Sequence, residues 1–219
     1  MKYYTLKLLA INIVIFILEL MSPYIIPLFA LNPSTIMQTP WTLVTAMFLH
    51  STSTTLPDGA AVLNLNHLLQ NMVALGLFGI LLEKIIGSKK FLGLYLTAGI
   101  AGNLAGIIFY PNSISLGASG AIMGILGAIT VLRPKMIVYF GAPLPLILLS
   151  GMWILIDLVG FFAPADNTGH AAHLAGFATG IAYGLINRNH YSEDKEIKEK
   201  IDDELSDEEL NAWEEKYMK

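Results

Sequence analysis

The chain has 219 residues, of which 54% are apolar and 14% charged, and its formal net charge is −4. A soluble domain has roughly a quarter of its residues charged, so this composition excludes an ordinary soluble domain and indicates a membrane protein. The sequence contains no cysteine, which excludes disulfide bonds and thiolate metal sites.

Six apolar segments meet or approach the length of about 20 residues that a membrane-spanning helix needs. We therefore expect an all-α membrane protein with six transmembrane helices in residues 1–189, of which the fourth is short, and an acidic cytoplasmic tail in residues 190–219. The first segment is too long for a signal peptide and lacks its cleavage site, so we expect a retained helix. In chain order, the segments are residues 5–29, 65–86, 90–110, 119–133, 136–162 and 169–187.

The basic residues predict the orientation of these helices. All 13 Lys and Arg lie at the start of the first segment, at or between the adjoining ends of the second and third, at or between those of the fourth and fifth, or after the sixth. Positive residues stay on the inner side of a membrane, so both termini are expected to be cytoplasmic. The long outer connection at about 30–66 is expected to be structured, with a turn at Pro57 and Asp58.

A serine and a histidine from different segments are expected to lie at one depth. Ser119 precedes Arg133 by 14 residues, which places it roughly 21 Å above the inner boundary at 1.5 Å per residue. His173 precedes Arg188 by 15 residues, or roughly 22 Å. On the second segment, Asn71 falls at about the same depth.

Glycine stripes predict which segments touch. Small residues spaced along one helical face let membrane helices approach closely. If the two stripes face each other, His173 meets Ser119 at the top of the contact. The stripes consist of Gly120, Gly124 and Gly127 on the fourth segment and Gly176, Gly180 and Gly184 on the sixth.

These residue types suit acyl transfer. A serine hydroxyl is a weak nucleophile until a base such as histidine takes its proton. The oxyanion then needs hydrogen-bond donors; His67 and Asn71 share one helical face, and backbone N–H groups at Gly117 and Ser119 would join them. No acidic residue is expected at this depth, so we predict a Ser119–His173 dyad.

The sequence resembles the rhomboid family of intramembrane serine proteases over about residues 1–188. The motifs that carry the resemblance are Gly117-Ala118-Ser119-Gly120, Ala172-His173-x-x-Gly176-x-x-x-Gly180, His67-x-x-x-Asn71, and Glu83 followed by Gly87-Ser88. Trp41 with His50 resembles the family's first-loop signature, although the family often has Arg where this chain has Thr42. Met123 replaces the aromatic residue that many members carry four positions after the serine.

The resemblance implies peptide-bond hydrolysis in or near the transmembrane helices of substrates that enter laterally from the lipid. Ser119 would be the nucleophile and His173 the base, with His67, Asn71 and the Ser119 backbone N–H at the oxyanion. No cofactor, metal or nucleic acid is implied. By analogy, the location would be a prokaryotic cell membrane, with the protein crossing it several times and the active-site cavity open to the outer side.

Other ionisable residues have structural interpretations. His170 is expected at the rim of the cavity, one turn above His173, and His50 in an outer-loop hydrogen bond. Glu19 is interpreted as a donor between helices. Asp157 follows Lys135 by 22 residues, which predicts a place near the outer surface.

Alternatives from other classes remain. A catalytically inactive rhomboid-like binding or chaperone protein should lack the serine or the histidine, and both are present. A metal site built from the histidines would need carboxylates or tighter spacing. A transporter would show paired half-repeats, and a soluble hydrolase would have a Gly-x-Ser-x-Gly elbow after a strand.

Overall fold

The structure is a computed structural model that describes residues 3–55, 61–140, 142–163 and 166–191. The chain in these ranges is mostly helical. The turn expected at Pro57 and Asp58 lies outside the described residues, as does the acidic tail beyond Tyr191.

The helices alternate with short connections. Three helical stretches are long and apolar enough to cross a membrane, namely Tyr4–Met21, Asn66–Ile86 and Ser88–Phe109, and two shorter apolar helices are Ser119–Leu132 and Leu146–Phe162. A π-helical turn at Leu75–Gly79 lies within the stretch Asn66–Ile86, and single 3-10 turns occupy Pro33–Thr35 and Ala46–Phe48. The α-helices are α1 (Tyr4–Met21), α2 (Ile25–Phe29), α3 (Thr42–Thr45), α4 (Asn66–Ala74), α5 (Ile80–Ile86), α6 (Ser88–Phe109), α7 (Ser119–Leu132), α8 (Leu146–Phe162) and α9 (His170–Asn187).

The first helix is shorter than the expected segment 5–29. It ends at Met21, and Ser22 is extended with φ −141° and ψ 118°. Ser22 precedes Pro23, whose ring disfavours the helical conformation of the residue before it. The chain then resumes as the separate short helix α2.

The fifth expected segment, 136–162, is only partly helical. Strand β3 (Ile137–Phe140) pairs antiparallel with β4 (Ala142–Pro145), and α8 starts at Leu146. Proline cannot donate a backbone hydrogen bond and breaks a helix interior, and Pro143 and Pro145 both lie in β4. The hairpin turns the chain back, so that the Leu146 N–H donates to the Met136 carbonyl at 2.8 Å.

A second small hairpin lies in the long outer connection. Strands β1 (Ser53–Thr55) and β2 (Ala61–Leu63) pair antiparallel just before α4. Farther back in the same connection, Leu31 exchanges backbone hydrogen bonds with Ser115 at 2.9 and 2.8 Å. The two hairpins therefore qualify the expectation of an all-α fold.

Helix α7 forms the centre of the core, and α9 packs along it. Twelve of the 14 residues of α7 are buried. A β-carbon placed on Gly176 would lie 2.0 Å from the Gly120 carbonyl oxygen, and one on Gly180 would lie 1.9 Å from that of Gly124. The backbones of α7 and α9 are thus in direct contact, and this brings the first turn of one helix beside the first turn of the other.

Candidate active site

Ser119 is the first residue of α7, directly after a sharp bend of the chain. The bend is at Gly117, whose φ of +127° is one that residues with a side chain rarely adopt. A β-carbon at Gly117 would lie 3.0 Å from His67 Nε2 and 3.8 Å from Ser119 Oγ. Glycine at this position therefore lets the His67 ring approach the serine hydroxyl.

The N–H group of Gly117 forms a hydrogen bond within the protein. It donates to the Ala46 carbonyl oxygen at 2.9 Å, and this hydrogen bond ties the bend before α7 to the outer connection. The expected role of Gly117 at the oxyanion therefore stays a prediction, and it would require this N–H to leave Ala46. The Ser119 N–H lies in the first turn of α7, where backbone N–H groups have no partner within the helix.

Ser119 and His173 meet in the structure. The Nε2 atom of His173 lies 2.8 Å from Ser119 Oγ, although 54 residues separate the two in the chain. His173 sits in the first turn of α9, and its backbone N–H donates to the Gly169 carbonyl. The nucleophile and base types are thus held in hydrogen-bond contact by the packing of α7 on α9.

The expectation that no acid lies at this depth is wrong. Asp157 Oδ1 lies 2.9 Å from His173 Nδ1, and the Asp157 side chain is 7% exposed. The expected depth assumes that the chain is helical from Met136 onward, whereas the strands β3 and β4 precede α8. Counted from Leu146, which is bonded to Met136, Asp157 is 11 residues up α8, or roughly 17 Å, close to the depth of Ser119.

His170 is not on the cavity rim as expected. It is 4% exposed, and its Nδ1 lies 2.8 Å from the same Asp157 Oδ1. A β-carbon on Gly160 would lie 2.2 Å from His170 Nε2, so the ring packs against the backbone of α8. His170 Nε2 also lies 3.3 Å from the exposed carboxylate of Asp166.

His67 has one ring nitrogen occupied. Its Nδ1 accepts from the Ser51 backbone N–H at 3.2 Å, so in the neutral ring the hydrogen is on Nε2, the atom beside Gly117. Asn71, one turn later, is buried, and its Nδ2 donates to the His67 carbonyl at 2.8 Å. His67 thus has a donor beside Gly117, whereas one Asn71 hydrogen is already used within α4.

His50 lies next to His67. Its backbone N–H donates to both Glu19 carboxylate oxygens at 3.1 and 3.3 Å, so Glu19 is an acceptor here and not the donor expected. The His50 ring is fully buried, 5.1 Å from the His67 ring, and both of its nitrogens lack a hydrogen-bond partner among the described residues. Burial, and secondarily the neighbouring His67, lowers the pKa of His50 to about 3.

The site also brings a carboxylate beside two histidines, a combination of residue types that can bind a metal ion. Among the described residues, Asp157, His170 and His173 offer ligand-type atoms within 4.8 Å of one another. The two N···O distances of 2.8 and 2.9 Å are those of two N–H groups donating to one carboxylate oxygen. The group fits a hydrogen-bonded cluster as it stands.

Comparison with known proteins agrees with the motifs. Residues 37–190 match the family model of the Rhomboid domain. The chain is 34% identical over 156 residues to RHOMBOID-like protein 6, mitochondrial, of Arabidopsis thaliana, covering 67% of this chain and 43% of that protein. It is 36% identical over 152 residues to Rhomboid protease GluP of Bacillus subtilis, covering 66% of this chain and 26% of that protein.

A mitochondrial yeast relative gives the same picture. Rhomboid protein 1, mitochondrial, of Saccharomyces cerevisiae is 35% identical over 132 residues, or 54% of this chain and 37% of that protein. The chain thus spans less than half the length of these relatives.

Proposed function

Because this chain belongs to the rhomboid family, we propose that it is an intramembrane serine protease with Ser119 as nucleophile and His173 as general base. The observation that carries the proposal is the 2.8 Å contact between Ser119 Oγ and His173 Nε2. A serine needs such a base within hydrogen-bond reach to attack a peptide bond.

The reaction follows from this contact. His173 Nε2 takes the hydroxyl proton while Ser119 Oγ attacks the carbonyl carbon, and the resulting oxyanion is stabilised by donors at the start of α7 and on α4. His173 then gives the proton to the leaving amine, and an acyl-enzyme forms. Water, deprotonated by His173, hydrolyses the acyl-enzyme and restores Ser119.

The donors would be the His67 Nε2–H and the Ser119 N–H, with Asn71 as a third. His67 is supported by its position against Gly117 and by its Nδ1, which already accepts a hydrogen bond. Asn71 is supported by its burial one turn along the same helix and by the second hydrogen of its amide nitrogen.

The membrane arrangement belongs to the same proposal. Six helices would cross a cell membrane: α1, α4 continued by α5, α6, α7, α8 and α9. The clustering of Lys and Arg at alternate connections supports cytoplasmic termini and a cavity open to the outer side. Substrates would be transmembrane proteins that enter laterally from the lipid and unwind locally.

The test is cleavage of a panel of single-span substrates by the purified, reconstituted protein. Ser119→Ala and His173→Ala are expected to abolish cleavage, and a fluorophosphonate is expected to label the parent but not Ser119→Ala. Ser34→Ala, in the exposed outer connection, is the matched control and should behave as the parent.

Two outcomes oppose the proposal. Cleavage by either variant at the parent rate would remove the Ser119–His173 assignment. A parent that binds single-span proteins but neither cleaves them nor reacts with the fluorophosphonate would instead be a catalytically inactive rhomboid-like binding or chaperone protein.

A further inference from the structure

Asp157 is a buried acid on a helix that buries little else. The buried residues of α8 are Leu146, Leu149, Ser150 and Asp157. A carboxylate removed from water is destabilising unless hydrogen bonds or opposite charges compensate it. Its partners in the described part of the chain are His170 and His173. We propose that Asp157 is the positioning residue of a Ser119–His173–Asp157 triad and that His170 holds its carboxylate in place.

Asp157 determines which ring nitrogen of His173 carries the hydrogen. A neutral imidazole carries one hydrogen, and the other ring nitrogen accepts. An ionised carboxylate only accepts, so Asp157 Oδ1 at 2.9 Å requires the hydrogen on His173 Nδ1. The lone pair is then on Nε2, which faces Ser119 Oγ at 2.8 Å. The acid thus selects the tautomer that can take the serine proton.

Asp157 also acts on the positive charge that His173 acquires during the reaction. When His173 takes the serine proton, its ring becomes positive inside a largely buried site. The Asp157 carboxylate stabilises that imidazolium through the existing Nδ1 hydrogen bond and does not itself need to be protonated. Asp157 touches neither the substrate nor the reacting atoms, so its effect is exerted through His173.

His170 also holds the Asp157 carboxylate, through its own ring nitrogen. It donates from Nδ1 to the same Asp157 oxygen at 2.8 Å, and Gly160 leaves room for its ring. Its Nε2 faces Asp166, whose side chain is 62% exposed. His170 therefore limits the rotation of the Asp157 carboxylate and connects it to the outer connection before α9.

This inference rests on the proposed function, and its principal test is Asp157→Asn in reconstituted protein. The amide keeps the shape but can donate to Nδ1, which favours the wrong His173 tautomer. By comparison with the same change in a soluble Ser–His–Asp protease, kcat is expected to fall by about 10²- to 10⁴-fold. KM is expected to change little, because Asp157 does not contact substrate. His170→Asn is expected to lower kcat less.

The matched control is Ser150→Ala on the same helix. Ser150 Oγ and Thr130 Oγ1 are 2.6 Å apart, so this change removes another buried polar tie between α8 and α7. Ser150→Ala is expected to lower the temperature of thermal unfolding and keep kcat near the parent value. If Ser150→Ala lowers kcat as much as Asp157→Asn does, Asp157 only holds α8 in place and the proposal is overturned.

A spectroscopic readout covers the case in which Asp157→Asn does not fold. In ¹⁵N-histidine-labelled parent protein at neutral pH, the His173 resonances, assigned with His173→Gln, are expected to show a protonated Nδ1 and an unprotonated Nε2. The opposite tautomer overturns the inference even if the protein is active. Loss of parental activity with EDTA and its return with Zn²⁺ would make the three residues metal ligands and also overturn it. Failure of the proposed function appears separately, as unchanged cleavage by Ser119→Ala.

Discussion

Gly124 and Gly180 meet backbone to backbone: a β-carbon on Gly180 would lie 1.9 Å from the Gly124 carbonyl oxygen and 2.9 Å from the Ala128 nitrogen. Neither atom belongs to a side chain that can rotate away, so one added methyl group must separate α7 from α9. The same two helices carry Ser119 and His173 at their first turns.

The first prediction concerns this contact. Gly180→Ala is expected to destabilise the protein by about 1–3 kcal/mol, the usual cost of overpacking a tight core, and to reduce activity by separating Ser119 from His173. Thermal unfolding in detergent and kcat measure the two effects. Gly151→Ala on α8, where a β-carbon meets no atom within 4 Å, is the control. Equal melting temperatures of the two variants would contradict the close contact.

The second prediction concerns the bend before α7. Gly117→Ala must either keep a φ of +127° or shift the backbone beside His67. Because small misplacements of reacting groups are costly, kcat is expected to fall about 10²-fold. Gly169→Ala, directly before α9, is the control, since φ there is −77° and the nearest atom to its β-carbon is 3.7 Å away. Parental kcat in Gly117→Ala would show that the bend is not needed.

The common depth of Ser119 and His173 could be predicted from the sequence. Each residue lies on an uninterrupted helix that ends next to an arginine, so the distance from that arginine follows from the number of residues. The same count does not apply to Asp157, since the chain returns through the β3–β4 hairpin and Leu146 is hydrogen-bonded to Met136, so no height is gained between these two residues. Pro143 and Pro145 are the sequence signal for this break, because proline is not tolerated in a helix interior. Counting from Leu146 instead predicts that Asp157 lies close to the depth of Ser119.

The place of His170 follows from Asp157 and could not be predicted before it. A histidine at the outer end of a helix is expected to face water unless a buried acid is known to lie beside it. The use of the Gly117 N–H by Ala46 is likewise a contact between distant parts of the chain, and spacing along the sequence carries no signal for it.

The third prediction concerns the backbone N–H of Ser51, which holds His67 with its hydrogen on Nε2. Ser51→Pro removes this N–H, whereas Ser51→Ala retains it. With the donor no longer fixed, kcat of Ser51→Pro is expected to fall by up to about 10²-fold, the lower end of the loss of one oxyanion donor. Kinetics of both variants, with thermal unfolding as a check on folding, measure it. Equal kcat values would mean that Ser51 does not set the His67 tautomer.

The fourth prediction concerns acid stability. The pKa of His50 falls from its ordinary value of 6.5 to about 3 in the folded protein, chiefly because the ring is buried. Below pH 6.5 the unfolded chain binds a proton that the folded chain does not, so stability is present above pH 6.5 and lost as the pH falls toward 3.

The unfolding temperature of the parent is therefore expected to drop from pH 7 to pH 4 more steeply than that of His50→Leu, which cannot titrate at this position. The difference between the two slopes isolates His50 from the carboxylates that titrate in the same range. If the unfolding temperatures of the two proteins fall equally with pH, the His50 ring is protonated as readily in the folded protein as in the unfolded chain, which contradicts the prediction.

The sparse burial of α8 has a consequence for regulation. Its outer half packs on the rest of the protein through few apolar side chains, while it carries the acid that faces His173. Moving the helix outward by a few ångströms would take Asp157 away from the imidazole and leave Ser119 without a prepared base. The position of α8 and the readiness of Ser119 would then be one and the same variable, and a change that displaces α8 would also change the rate.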